Sequence, residues 1–160
     1  MIKIDSVSKT IKKKEVLKDI SFNLYPHQVT LIRGHRGSGK TMLLRLICGL
    51  IQPTKGEVLL ADDYFFGTLI EQPAFFEEET AFYNLQYLAK MNNQIDDSII
   101  EAYLKRFKLY QQRNDKVKTY SSDMKQRLAL LQAFMEDPDV VLLDEPFKGI
   151  EEDNLEMIYN

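Results

Sequence analysis

The chain has 160 residues, 44% of them hydrophobic, and carries 21 Lys and Arg against 24 Asp and Glu for a net charge of −3. This is enough for one compact α/β core of ordinary soluble composition, and with the basic residues dispersed nothing suggests a dedicated nucleic-acid surface. A single cysteine, Cys48, excludes an internal disulfide and a cysteine-based metal cluster; no run approaches the roughly 18 apolar residues of a membrane span, so a membrane role would need a spanning partner.

Met1 leads directly into alternating residues, not into a basic segment and an apolar run, so no secretory leader is expected. Ile2, Ile4 and Val7 alternate, as do residues of Val16 to Leu24 around Leu17, Ile20, Phe22 and Leu24. They predict an antiparallel strand pair, with the basic stretch Lys9 to Lys14 as its solvated turn. Gln28 to Arg33 then reads as a short strand, and Met42 to Leu50 as a helix with Cys48 on its apolar side.

Between strand and helix stands Gly34-His35-Arg36-Gly37-Ser38-Gly39-Lys40-Thr41, a complete match to the phosphate-loop pattern G-x-x-x-x-G-K-[ST]. The glycines allow a tight turn and close approach of backbone to phosphate, and the amides from Arg36 to Thr41 point inward. Lys40 supplies a mobile cation for the β and γ phosphates, and Thr41 a hydroxyl for Mg²⁺. His35 and Arg36 fill variable positions, where phosphate contact and solvent exposure are both open. The chain is expected to bind a nucleoside triphosphate.

Pro53 and Gly56 mark a turn before a strand at Glu57 to Leu60, and Asp62-Asp63 begins a loop. Gly67 to Glu71 reads as a buried strand stopped by Pro73. Helices are predicted from Ala81 to Lys90, starting at Thr80, and from Asp96 or Asp97 to Phe107, separated by Asn92-Asn93. The helical interval starting near residue 80 reads as a lobe inserted into the α/β core, reaching about residue 136 with the next helix. That helix begins near Ser121 and stops at Asp137-Pro138. Val140 to Leu143 has the composition of a strand buried on both faces. Asp144 and Glu145 follow it, at the strand end where α/β sheets collect ligands. Asp144 suits Mg²⁺, and Glu145 suits the attacking water; a pair of acids capping the next turn is the plain alternative.

Two segments carry a resemblance beyond a generic phosphate-loop fold. Tyr120-Ser121-Ser122-Asp123-Met124-Lys125-Gln126-Arg127-Leu128 resembles the signature segment L-S-G-G-x-x-x-R of the ATP-binding cassette (ABC) family, and Asp144 to Glu151 resembles its D-E-P-x-x-G-L-D. The resemblance covers essentially the whole chain. It implies a phosphate-loop ATPase core with an antiparallel strand pair and a helical lobe. It also implies ATP and Mg²⁺ held between two cassettes packed head to tail, and a transmembrane permease on whose cytoplasmic face the cassette sits. Catalysis would rest on Lys40 and Glu145, with Ser121 serving the partner's γ-phosphate. No nucleic acid is expected as a partner.

Departures accompany the resemblance. Ser122 and Asp123 replace the signature glycines, so Asp123 is expected to weaken binding of the partner's phosphate unless it turns away, although Ser121 and Asp123 also suit a helix start. Leu69-Ile70-Glu71-Gln72-Pro73-Ala74-Phe75-Phe76, followed by Thr80 and Asn84-Leu85, resembles the loop entering the lobe. There Glu71 takes the place of a metal-contacting glutamine, as in relatives of bacitracin and lantibiotic export or immunity. Ile11 falls near the adenine-stacking aromatic and lacks its π face. The connection from Val58 to Leu69 is short for the family. The switch histidine has no candidate, since His27 and His35 lie upstream, and the chain is expected to be either a fragment or a shortened product.

The implied function is the ATP-hydrolysing subunit of an exporter, with Phe75, Phe76, Phe82, Tyr83 and Tyr87 serving either a permease-docking groove or the lobe core. A nucleotide-binding regulatory or assembly subunit without turnover is the alternative from another class. A soluble cassette ATPase of DNA repair or translation ranks below both. The transported substrate is not legible.

Overall fold

The computed structural model describes residues 1–71, 73–92 and 95–154. Two compact units divide the chain, with the boundary after Phe66.

The first unit begins with a long hairpin, β1 (Ile2–Ile11) and β2 (Lys14–Leu24). Its turn is the residue pair Lys12-Lys13, with φ of 46° and 68°, a left-handed pair that suits the twist of a two-residue hairpin. The sheet gains a third strand, β3 (Lys55–Leu60), in the order β2-β1-β3, antiparallel to β1 with Ile4 opposite Val58. Glycine is required at Gly56, where a Cβ would lie 2.3 Å from the Ser6 carbonyl oxygen. α1 (Lys40–Ile47) supplies Leu43, Leu44, Leu46 and Ile47 to the core of this unit, beside buried Ile2, Ile4, Val7 and Leu17. It starts earlier than predicted because Gly39, at φ 93°, serves as its N-cap, and it ends at a left-handed Gly49.

The expected strand at Gln28 to Arg33 does not form. Val29 is 100% exposed and Leu31 70%. A strand needs a ladder, and β1 already has β2 on one edge and β3 on the other; no described segment pairs with residues 28–33.

The second unit holds β4 (Phe66–Leu69) from its second residue on, α2 (Ala81–Asn92), α3 (Asp97–Arg106), α4 (Ser122–Phe134) and β5 (Val140–Leu143). Asp96 caps α3 by accepting from the amides of Ser98 and Ile99. Leu85, Ile100, Leu104, Leu109, Leu128, Leu130 and Leu131 are all fully buried in one cluster, and each such side chain contributes about 1.5–3 kcal/mol by leaving water. The buried side chain of Asn84 fixes the turn before α2, accepting from the Phe76 amide and donating to the Phe76 and Thr80 carbonyls. β4 and β5 form a two-stranded sheet. Gly67 permits it, since a Cβ there would meet the Ala133 carbonyl oxygen at 2.0 Å. The expectation that β5 is buried on both faces is corrected: only Leu142 is fully buried, while Val140, Val141 and Leu143 are half-buried. Asn93, Gln72 and the residues after Asn154, on which sequence expectations also fell, lie outside the described residues.

Candidate functional site

In the first unit the loop from Gly34 to Thr41 is shaped by its own backbone. Gly37 and Gly39 take φ of 80° and 93°, a region that costs other residues strain. A Cβ on Gly39 would lie 2.7 Å from Leu17 Cδ2, and one on Gly34 would lie 2.5 Å from Ser38 Oγ. The Ser38 amide donates to the His35 carbonyl at 3.2 Å, and the first helical bond runs from Leu43 N to Gly39 O at 2.9 Å. The Lys40 ammonium folds back over the loop, donating to the carbonyls of Gly34 (2.8 Å) and His35 (3.1 Å).

α1 has no acidic residue in its first turn, so no carboxylate of that turn opposes an anion at the positive end of its macrodipole. His35 and Arg36 are exposed, with His35 Nδ1 2.9 Å from the Arg36 carbonyl oxygen; Thr41 is half-buried on the first turn of the helix. Two left-handed glycines, a third position where a Cβ would crowd Ser38, and the Lys40 ammonium over the loop fit a polyphosphate. Ile11 ends β1 beside the hairpin turn and is 38% exposed. Cys48 is half-buried at the end of α1, its thiol 3.6 Å from the Arg45 carbonyl oxygen.

In the second unit, Asp144 N donates to Leu69 O at 2.7 Å, so β4 and β5 end side by side. Glu71, Asp144 and Glu145 thus leave the same end of that sheet. Asp144 is half-buried, whereas Glu71 and Glu145 are exposed. Glu145 turns the chain out of the strand with φ 47°, a left-handed conformation strained for a non-glycine residue. Its carboxylate lies 3.3 Å from Lys148 Nζ, an exposed pair of small energetic weight. Among the described residues no group of three or more His, Cys, Asp or Glu gathers as a metal cage. A hard cation that keeps phosphate and water ligands needs only one or two protein oxygens; oxygen donors of that chemistry stand in each unit, Thr41 in the first and Asp144 and Glu71 in the second.

Ser121 caps α4, its hydroxyl accepting from Met124 N at 3.2 Å, and with Ser122 it is exposed at the helix start. Asp123 follows the turned-away alternative. Its carboxylate is buried and points into the unit, where Arg127 Nη2 and Nε donate to Oδ2 at 2.6 and 2.8 Å. The Glu151 amide donates to Oδ1 at 3.1 Å, and Asn154 Nδ2 lies 3.3 Å from both oxygens. Burial pushes this carboxyl up, but the bonds from Glu151 and Arg127 outweigh it and hold its pKa below the ordinary value. Tyr120 is pushed up to about 12 by burial and by the charge of Asp115, against the opposing charge of Arg127. Its hydroxyl donates to the Gln112 carbonyl at 2.7 Å.

Sequence reasoning missed the Asp123–Arg127 pair, although an acid four residues before an arginine on a helix is a legible signal. It also missed the bond from Gln126 Nε2 to the Pro146 carbonyl at 3.0 Å, which has no sequence signature. The aromatic set divides. Phe75 and Phe82 pack against the helical core, whereas Phe76, Tyr83 and Tyr87 are exposed, with the Phe76 ring edge-on to Tyr87 at 5.0 Å and to Tyr83 at 6.5 Å. A cleft of about 240 Å³ lies in the same unit, lined by residues including Pro73, Phe75, Lys125 and Gln126.

The family model described as ABC transporter matches residues 17–148. The chain is 35% identical to an uncharacterized ABC transporter ATP-binding protein, YybJ of Bacillus subtilis, over all of this chain and 78% of that protein. It is 34% identical to a second such protein of that organism, YdbJ, over 94% of this chain and 52% of the relative. Against the bacitracin transport ATP-binding protein BcrA of Enterococcus faecalis the identity is 29%, over 94% and 52%. The chain thus spans about half the length of several curated relatives it matches. Among solved structures, a dimeric bacterial ABC transporter cassette superposes with a TM-score of 0.87 at 25% identity, covering 99% of this chain and 79% of that one. A dimeric cassette in a post-hydrolysis state with ADP and phosphate does so with a TM-score of 0.88, at the same identity and coverage.

Proposed function

The chain belongs to the ABC transporter family of ATP-binding domains, and we propose that it is the ATP-hydrolysing, energy-coupling subunit of a membrane exporter. The observation that carries this reading is the complete phosphate loop with the Lys40 ammonium folded over it. In this reading the two units form a single nucleotide-binding domain. The backbone from Gly34 to Thr41 holds the phosphates, with exposed His35 and Arg36 at its rim, and Ile11 offers an apolar surface to the base.

Thr41 and Asp144 would hold Mg²⁺, with Glu71 as a further oxygen donor; when bound, the cation neutralises developing phosphate charge. Lys40 exchanges two neutral carbonyl partners for phosphate oxygens, which make stronger, charge-assisted bonds. Glu145 orients water and accepts its proton as the oxygen attacks the γ-phosphorus and the bond to the leaving ADP oxygen breaks. The charge and position of these groups do the catalysis.

Ser121 and the amides at the start of α4 serve the γ-phosphate bound by a second cassette packed head to tail. The dimeric state of the similar cassette supports this. A transmembrane permease is the proposed second partner, holding the chain at the cytoplasmic face of the membrane. Exposed Phe76, Tyr83 and Tyr87 favour a docking role for that part of the aromatic set. Likeness to a bacitracin transport protein supports export. No helix among the described residues is long and apolar enough to cross a membrane.

The test is Mg-ATP hydrolysis by the full natural polypeptide reconstituted with a multi-span membrane protein encoded beside it. ATP-dependent dimerisation and phosphate release are expected. Tight Mg-ATP binding without release, even with the permease, would favour a regulatory subunit, a reading kept by Ser122 in place of a signature glycine.

A further inference from the structure

We infer that Asp123 is a positioning residue whose buried carboxylate clasps α4 to the segment after β5, so that the signature helix and the loop carrying Glu145 move as one body. The inference rests on the proposed role of Glu145. Asp123 and Gln126 stand one helical turn apart on α4. Gln126 holds the start of the segment through the Pro146 carbonyl at 3.0 Å, one residue beyond Glu145. Asp123 holds its far end through the Glu151 amide at 3.1 Å and the Asn154 side chain at 3.3 Å. A second strut runs from Lys108 Nζ to the Asp153 carbonyl at 2.9 Å.

Arg127 closes the clasp. It is buried, with Nη1 donating to the carbonyls of Phe107 (2.8 Å) and Lys108 (3.0 Å) while Nε and Nη2 face Asp123. A buried guanidinium needs a counter-charge and saturated donors; Asp123 supplies the charge and accepts from Nε and Nη2, and the two carbonyls take Nη1. Glycine at this position would leave the Arg127 charge with carbonyls alone and release Glu151 and Asn154 together. The same geometry turns the Asp123 charge away from the exposed Ser121-Ser122 end of α4, so it does not oppose an anion there. Replacement of Asp123 by glycine is therefore expected to loosen the catalytic loop, with no gain in dimerisation.

Two variants of the full natural polypeptide test this, read by amide hydrogen exchange without nucleotide and by steady-state hydrolysis with the permease. Asp123→Gly removes the clasp, and Asn154→Asp sets a second carboxylate against Asp123 on a less buried side chain, which keeps the test alive should the first variant fail to fold. Each is expected to speed exchange at the Glu151 amide about tenfold or more, to lower kcat about tenfold, and to leave Mg-ATP affinity within about twofold. Asp123→Glu, which retains the charge, should restore part of both. Unchanged exchange at Glu151 overturns the clasp. Faster exchange with unchanged kcat overturns the positioning role. Tighter ATP-dependent dimerisation in Asp123→Gly would show that the carboxylate acts at the partner's phosphate instead. A wild-type protein without turnover refutes the assignment of Glu145, whereas the exchange measurement still decides the clasp.

Discussion

The phosphate loop and the signature-bearing unit hold their functional residues by different means. Gly34 to Thr41 keeps its shape through left-handed glycines, short local hydrogen bonds and the cap of α1, although the segment before it forms no strand and leaves Val29 and Leu31 in solvent. In the second unit, Ser121, Asp123 and Asp144 are placed by a packed helical core, by a buried ion pair, and by a ladder bond to Leu69. A short-range motif needs few neighbours to acquire its geometry. A site assembled from segments far apart in sequence depends on everything packed between them.

The sharpest way to break this contrast is Glu145→Gln. Hydrolysis should fall by about 1000-fold while Mg-ATP stays bound, as read by single-turnover phosphate release and equilibrium binding; unchanged release would remove Glu145 from its role. Next in size is Leu128→Ala in the fully buried core, expected to cost about 3 kcal/mol in urea unfolding. Measured where the variant is still folded, its Mg-ATP affinity should match wild type within about twofold, and a larger loss would mean the phosphate loop leans on the helical core after all. Lys40→Met should weaken Mg-ATP by about 30-fold, near 2 kcal/mol, without shifting Tm, because its carbonyl bonds are exposed.

Ser121→Ala removes the cap of α4 and should cost about 1 kcal/mol or less, with a separate loss in ATP-dependent dimerisation; stability loss alone would confine Ser121 to capping. The smallest expected effect is that of Asp96. Its carboxyl lies below the ordinary 3.8 through bonds from the Ser98 hydroxyl and the Ile99 amide. A lowered folded pKa means that its contribution is complete above the ordinary value and fades as pH falls through the lowered one. Asp96→Asn should flatten that part of the acid unfolding curve.

Much of this molecule was legible before folding was considered. Hydrophobic alternation located the hairpin, helical spacing located α2, α3 and α4, and Asp96 and Ser121 announced helix starts, because these depend on neighbours within a few residues. The strand expected before the phosphate loop was not legible in the same way. Val29, Leu31 and Ile32 have the composition of a strand, but pairing is a property of two segments.

The sequence by itself determined the phosphate loop, since glycine at Gly37 and Gly39, the lysine and the following helix start are all local requirements. Tertiary structure alone decided what Asp123 does. Read as a residue in a signature, it is a negative charge beside a phosphate site; in the fold it faces Arg127, Glu151 and Asn154. The direction of one buried side chain follows from desolvation and available partners; Arg127 lies one helical turn away, but Glu151 and Asn154 come from a part of the chain about thirty residues on.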